Sequence, residues 1–491
     1  MKNNSHILDE VCALLPAEWS VQKEGVDAHA FNILDSYNGA LLSSEAALLE
    51  FPGKPPKVEL LPEKFEEKID KPFSKKAFKP RSLPQSELRN IVERKIGEWR
   101  LSIRAKGIET VEQYRLENED RKGVARVFLR TFKCEGGPPV TAVEVKPYRG
   151  YYRDVASVRK RIEGMYPLAA ALPVFLQSLP DAVQGLSRPL PGVWRTKDSR
   201  AAVVDLMRFM LDRVRYYEPG VIEGSDPEVL HQYRVTLRRM RSLVTLLKKA
   251  FPATEQETLS RELKLAMEET NLLRDLDVQI VEVAEIRTSL PDALQPGLDR
   301  FLRQLEKERG LEYRSVRKTL VAERFDKRFV RVGAILDSHS ESTPDTIANL
   351  LAPAIIKRYR TITRDFSSLE RNLKPEQLHA MRVSCKKLRY LLEFFPELLS
   401  QDLAASFRKD LKTLQNLLGR YNDLCVLETF LLEQVTKHSK DSVCLLAIGA
   451  IFMQAHQERN QLVQRCLAAA RDFCSKKYKQ SIRYMLVGGA D

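Results

Sequence analysis

The sequence predicts an α+β chain: a small antiparallel β domain, then an all-α domain of two four-helix bundles related by a pseudo-twofold. Three observations predict it. Short runs of alternating polarity occupy the first third of the chain. From about residue 195 apolar residues recur every three to four positions, and Gly and Pro retreat to the joints. One cationic cluster is written twice, 148 positions apart (379 − 231). The expected domains are 1–177, a linker over 178–194, one helical repeat over 195–333 and a second over 338–487. At 491 residues the chain has room for about three domains of common size.

The alternating runs predict strands at 99–107, 112–118, 124–132 and 141–147. The Pro/Lys-rich stretch 51–84 predicts a long exposed loop, and 151–179 a helix. SLPDAVQGLSRPLPG, 178–192, carries the turn formers of a linker. Helices follow at 196–217, 226–249, 255–288, 295–322, 343–369, 375–394, 401–437 and 442–475. Eight helices in two sets of four give two four-helix units.

The first cluster is His231, Arg234, Arg238, Arg239 and Arg241, in LHQYRVTLRRMRSLVTLL. The second is His379, Arg382, Lys386, Lys387 and Arg389, in LHAMRVSCKKLRYLLEFF. At the same offset LLRDLDV (272–278) matches RYNDLCV (420–426), so Asp275 answers Asp423. Arg317 likewise answers Arg465, and Phe325 answers Phe473. Several matches at one offset identify an internal duplication.

On a helical wheel His231, Arg234, Arg238 and Arg241 share an arc of roughly 80°, with Arg239 to one side. Tyr233, Leu237, Met240, Leu243, Val244 and Leu247 fill the far side. In the second copy Met381, Leu388 and Leu391 turn away from His379, Arg382, Lys386 and Arg389. No acid stands three or four residues on within the motif, so the stacked cations repel. Two arrangements relieve that. Asp275, Asp277 and Asp423 on neighbouring helices could neutralise the row, or a multivalent anion could occupy it. A duplicated cationic face in a chain of net charge +14 favours the anion. Arginine suits phosphate because its planar fork donates two parallel hydrogen bonds. Lys357, Arg358, Arg360, Arg364, Arg314, Arg317 and Arg465 are candidates to extend the row from the first and last helices of each unit.

The positive balance admits nucleic acid, an anionic membrane surface or polyphosphate as partner. No apolar run reaches the ~18 residues of a membrane span. The seven cysteines are odd in number and contain no Cys-x-x-Cys, which predicts free thiols, no zinc site and a reducing cytoplasm. No phosphate-binding glycine loop, Ser/His/Asp order or His-Glu-x-x-His motif occurs, and no cofactor is expected.

The two motif pairs, LHQYRVTLRRMRSL with LLRDLDV and LHAMRVSCKKLRYLLEFF with RYNDLCVL, resemble the two halves of the CHAD domain, the conserved histidine α-helical domain. The resemblance covers roughly 195–485. It implies two bundles about a pseudo-twofold, a basic channel between them, inorganic polyphosphate as ligand and association with polyphosphate granules. It places His231, Arg234, Arg238, Arg241, His379, Arg382, Lys386 and Arg389 on the ligand. The full candidate set adds Arg239, Lys387, Arg317, Arg465, Lys357 and Arg360.

In the N-terminal part, FNILDSYNGALLSSEAALLEF, VARVFLRTF and TAVEVKPYRGYYRDVASVRKRIEGM resemble strands and the closing helix of the CYTH domain, a β-tunnel that hydrolyses triphosphates. Its opening Glu-x-Glu-x-Lys is missing, Arg126 and Arg130 stand where acids are expected, and Glu144 is isolated. Metal-assisted hydrolysis needs converging carboxylates. The expectation is a degenerate, non-catalytic tunnel with an arginine face of Arg100, Arg104, Arg126 and Arg130, turned to an anion or to water.

Overall fold

The computed structural model describes residues 4–482 other than 64, 74–76, 178, 180–197, 339–344, 372–374, 400, 476–477 and 479–481. They form two compact units, Met1–Arg188 and Pro189–Asp491. Nearly all of the expected linker 178–194 lies outside the described residues.

Unit one is a seven-stranded antiparallel sheet of order β4-β3-β2-β1-β5-β6-β7. Its strands are β1 (Ser20–Asp35), β2 (Ala47–Phe51), β3 (Lys57–Leu61), β4 (Phe65–Lys68), β5 (Ser102–Glu117), β6 (Gly123–Cys134) and β7 (Val140–Pro147). Helices α1 (Asn4–Ala13), α2 (Ala40–Ser43), α3 (Glu87–Ile96), α4 (Tyr152–Met165) and α5 (Leu168–Gln177) complete it. Against one face, α1 and α4 bury Ile7, Val11, Val155, Val158 and Ile162 on Leu116, Val127, Leu129, Val143 and Val145. The sheet curls: Arg130 on β6 grips Glu59 on β3, although three strands separate β6 from β3. This antiparallel sheet is consistent with a CYTH-like fold.

Three expectations for unit one are corrected. The supposed loop 51–84 contains β3, β4 and a 3-10 turn, Pro80–Ser82. These strands are four or five residues long, too short for alternation to show. The strands expected at 99–107 and 112–118 are one, β5; Gly107 is not a turn but the place where the Phe31 ring lies against the backbone. The helix expected at 151–179 divides at Pro167 into α4 and α5.

Unit two has ten helices among the described residues: α6 (Ser199–Glu223), α7 (Pro227–Leu246), α8 (Ala253–Glu268), α9 (Asn271–Glu285), α10 (Gln295–Leu320), α11 (Glu323–Asp337), α12 (Ile347–Arg371), α13 (Pro375–Phe394), α14 (Gln401–Lys437) and α15 (Ser442–Phe473). The offset of 148 carries the bounds of α6 onto α12 and of α7 onto α13, and the start of α8 onto α14. The expected helix 255–288 is instead broken at Thr270 into α8 and α9, whereas α14 runs through the equivalent Leu418. Residues after the expected end at 322 form the unexpected α11.

The halves meet through like elements. Helix α6 packs on α12, α7 on α13 and α10 on α15, and Asp198 forms a β-bridge with its own counterpart, Thr346. That is the contact pattern of a pseudo-twofold axis. One core cluster joins Leu298, Phe301 and Leu305 of α10 to Leu424, Leu427 and Leu431 of α14 and Ile448 and Ile451 of α15. A Cβ at Gly297 would collide with the Val443 carbonyl oxygen, so glycine sets the approach of α10 to α15. Gly297→Ala is expected to lower the stability of unit two by about 1–3 kcal/mol, read as the urea midpoint with m unchanged.

Candidate anion-binding site

Helix α7 starts at Asp226, whose carboxylate accepts from Glu228 N at 3.0 Å, with Pro227 at the first helical position. Tyr233, Leu237, Met240, Leu243 and Val244 are fully buried, each contributing about 1.5–3 kcal/mol of transfer free energy. In α13 the matching stripe is Met381, Leu388 and Leu391, also fully buried. Burial of these stripes fixes both helices in rotation and turns the two cationic faces away from the cores.

The helices pack against each other, and the rows meet there. The charges acting on His231 come from Arg274, Arg238 and Arg234 of its own half and from Lys386 of the other. Lys386 in turn feels Arg382 and Arg389 of its own helix and Arg238 across the junction, opposed in part by Asp423. Burial first, and then these like charges, lower the Lys386 ammonium to about 8 and the His231 imidazole to about 4. Arg238 and Lys386 make no hydrogen bond or ion pair with any other described residue, and Arg238 Nε is buried and unpartnered. Two cations without a bonded partner among the described residues thus face each other across the pseudo-axis.

The other row members divide. Arg234, 6 % exposed, donates to Met267 O at 2.8 Å, Thr270 Oγ1 at 2.7 Å and Asn271 Oδ1 at 2.8 Å, which locks α7 to the α8–α9 break. Burial, followed by the repulsion of Arg238, lowers it to about 10. Arg241 Nη1 lies 3.6 Å from Met267 Sδ. Arg382 is 3.6 Å from Asp423, and Arg389 bonds Glu393 at 2.6 Å; Glu393 stands four residues on in α13, so the expectation of a row with no acid at that spacing fails at Arg389. His379 shares a 2.7 Å hydrogen bond with Asn422.

Arg239 spans the junction as an ion pair: it lies 3.6 Å from Glu393 of α13, the carboxylate that Arg389 also bonds, and beside Arg213 of α6. Lys387 leaves the junction and faces Arg358 of α12. Lys357 and Arg360 line surface hollows on the outer face of α12, the larger about 680 Å³, together with Arg364. Arg314, Arg317 and Arg465 are exposed on α10 and α15, and none dominates the field at His231, Arg234 or Lys386. Arg309 of α10 bonds Asp277 at 2.5 Å, so Asp277 reaches the site only through its field on Arg274; Asp275 lies in the field of Arg234 and Arg274 without bonding either.

Sequence reasoning missed Arg274, in the first turn of α9. It stands inside the quoted LLRDLDV, one turn beyond the Thr270 and Asn271 that bind Arg234. No local pattern signalled it, because its place beside Arg234 depends on the break at Thr270.

The His231 shift gives a pH dependence. An unfolded histidine binds its proton near pH 6.5, and folded His231 near 4. Stability from this group is therefore complete above about pH 6.5 and is lost as pH falls toward 4. Wild type should lose about 1–2 kcal/mol more than His231→Gln between pH 7 and pH 4.5, measured by urea unfolding.

Unit one has acids as well as arginines on its strands, contrary to the expectation of an arginine face. Arg130 binds Glu59 through two 2.9 Å bonds and Glu109 at 2.5 Å. Arg126 binds Glu24 at 2.7 Å, and Arg104 lies over the Tyr37 ring. The buried Glu59 and Glu109 are thus matched by one guanidinium, which does not fit this pair to a divalent ion. No group of three or more potential metal ligands occurs among the described residues.

No helix of the described residues is long and apolar enough to cross a membrane. An uncharacterized protein of Mycobacterium tuberculosis is 25% identical over 250 residues, 49% of this chain and 46% of the relative, and its counterpart in a second strain matches equally. This chain thus spans about half the length of the curated relatives it matches. Among solved structures, the CHAD domain from the plant Ricinus communis aligns with a TM-score of 0.49 and 22% identity, over 57% of this chain and 94% of that one. PptA from Streptomyces chartreusis aligns with a TM-score of 0.45 and 13% identity, over 56% and 99%. The CHAD family model matches residues 205–432, a span that holds both histidine-headed helices and the junction between them. Residues 205–432 are a CHAD domain.

Proposed function

We propose that this CHAD domain binds inorganic polyphosphate, without turning it over, where α7 and α13 meet. The observation that carries the reading is the pair Arg238 and Lys386: opposed, drawn from different halves, and with no acid bonded to either among the described residues. A phosphate chain supplies the missing negative charge at closely spaced intervals, and guanidinium and ammonium are the groups that bind it. In this reading unit one performs no catalysis; Arg130 engages Glu59 and Glu109, and Arg126 engages Glu24, which supports it. A cytoplasmic address at polyphosphate granules belongs to the same proposal.

Nucleic acid shares the charge argument but lacks a base-stacking platform here. Tyr233 is fully buried, and Tyr390 stacks on Phe394 with ring centroids 6.0 Å apart. Competition separates the two. With labelled long-chain polyphosphate bound, tRNA or duplex DNA at equal phosphate concentration is expected to displace little of it. Displacement comparable to that by unlabelled polyphosphate would overturn the assignment.

A further inference from the structure

The two halves share an ancestor, but their anion sites are not equal. In half one the α8–α9 break at Thr270 supplies the acceptors that hold Arg234, and Arg274 follows one turn later. Three and four residues separate Arg274 from Asn271 and Thr270, so it shares their side of α9, toward α7. Arg274 is half-buried and makes no side-chain hydrogen bond or ion pair with another described residue. Three acids act on it at a distance: Asp277, which Arg309 holds at 2.5 Å, Glu228, which accepts from Gln232 at 2.7 Å, and Asp275, which lies in the field of both Arg234 and Arg274 without bonding either.

Half two is built otherwise. The counterpart of Arg274 is Asn422 (274 + 148), a neutral amide bonded to His379. The counterparts of Met267, Thr270 and Asn271 are Gln415, Leu418 and Gly419, so the acceptor set that holds Arg234 is not repeated around Arg382. Gln415 instead donates to Cys385 O at 2.6 Å and accepts from Arg389 at 3.3 Å. Arg382 and Arg389 each have a carboxylate within 4 Å, Asp423 and Glu393. The cations that bear on His231 without a hydrogen bond or ion pair of their own among the described residues are therefore Arg238 and Arg274 from half one and Lys386 from half two.

We infer that Arg274, Arg238 and Lys386 form one tight phosphate subsite around His231, displaced into half one, and that Arg274 sets its strength. This rests on the polyphosphate reading and adds a direction to it. One phosphoryl group is held by three cations at this subsite, and the rest of the chain runs over the weaker, partly neutralised cations of half two. A short oligophosphate then needs only this subsite, whereas a long chain uses both halves.

The test compares tripolyphosphate with long-chain polyphosphate on wild type, Arg274→Asn, Arg274→Lys and Asn422→Arg. Arg274→Asn should weaken tripolyphosphate binding roughly tenfold or more, the effect of one charge-assisted hydrogen bond, and long-chain binding by less. Arg274→Lys should recover most of the loss, which a purely packing role would not allow. Asn422→Arg should strengthen tripolyphosphate binding and raise its stoichiometry toward two. Tripolyphosphate affinity unchanged in Arg274→Asn, with long chains still bound by wild type, overturns this inference alone. Failure of wild type to bind either ligand overturns the polyphosphate reading itself.

Discussion

Arg238→Glu combined with Lys386→Glu is expected to reduce long-chain polyphosphate affinity by roughly 100-fold or more at physiological salt. Each of the two cations is worth about 1.5–3 kcal/mol in charge-assisted bonds, and each replacement adds a repulsive carboxylate. Neither residue supports the fold: the bonds that lock α7 in place belong to Arg234, and the buried stripe belongs to Tyr233, Leu237 and Met240. Two carboxylates set among Arg234, Arg274, Arg382 and Arg389 repel each other as the cations did but attract their neighbours, so the melting temperature should be unchanged or slightly raised. Binding should also lose salt dependence, since fewer counterions are released. A double variant that binds as wild type does would remove the site.

Arg130→Met is expected to destabilise unit one by about 3–5 kcal/mol. The substitution leaves Glu59 and Glu109, 5 % and 4 % exposed, without the guanidinium that both use. Burial opposes the charge on Arg130, yet its bonds to Glu59 and Glu109 hold its pKa above the ordinary arginine value. The triad is therefore a matched set. Replacing all three members, with Glu59→Gln and Glu109→Gln added to Arg130→Met, should recover most of the loss in a urea titration, because no buried charge is then left alone. A single variant as stable as wild type would show that the carboxylates are solvated and free for other work.

The sequence made the helical half legible to an unusual degree, because the duplication supplied a second copy of every signal. The ends of α6 and α7 recur at α12 and α13, and the buried stripes came from helical periodicity alone. The break at Thr270 was not legible, since Leu418 continues the helix in the other copy. Arg274 stayed hidden with it, because its position beside Arg234 follows from that break. In unit one the Arg130–Glu59 pair spans 71 residues and arises from the curl of the sheet, which no local pattern encodes. Strand β1 was missed over residues 20–30: Val26, Ala28 and Ala30 do alternate with polar residues, but these side chains are few, mostly small and exposed, so the alternation marks no buried face.

The central claim is that two ancestral rows make one site. Calorimetric titration with long-chain polyphosphate tests it on two variants, Arg238→Glu in one half and Arg382→Glu with Lys386→Glu in the other. Each variant is expected to lose most of the binding energy, because a strand held by both halves needs both. Independent sites would instead leave either variant with half the wild-type stoichiometry at wild-type affinity, and that result would contradict the account.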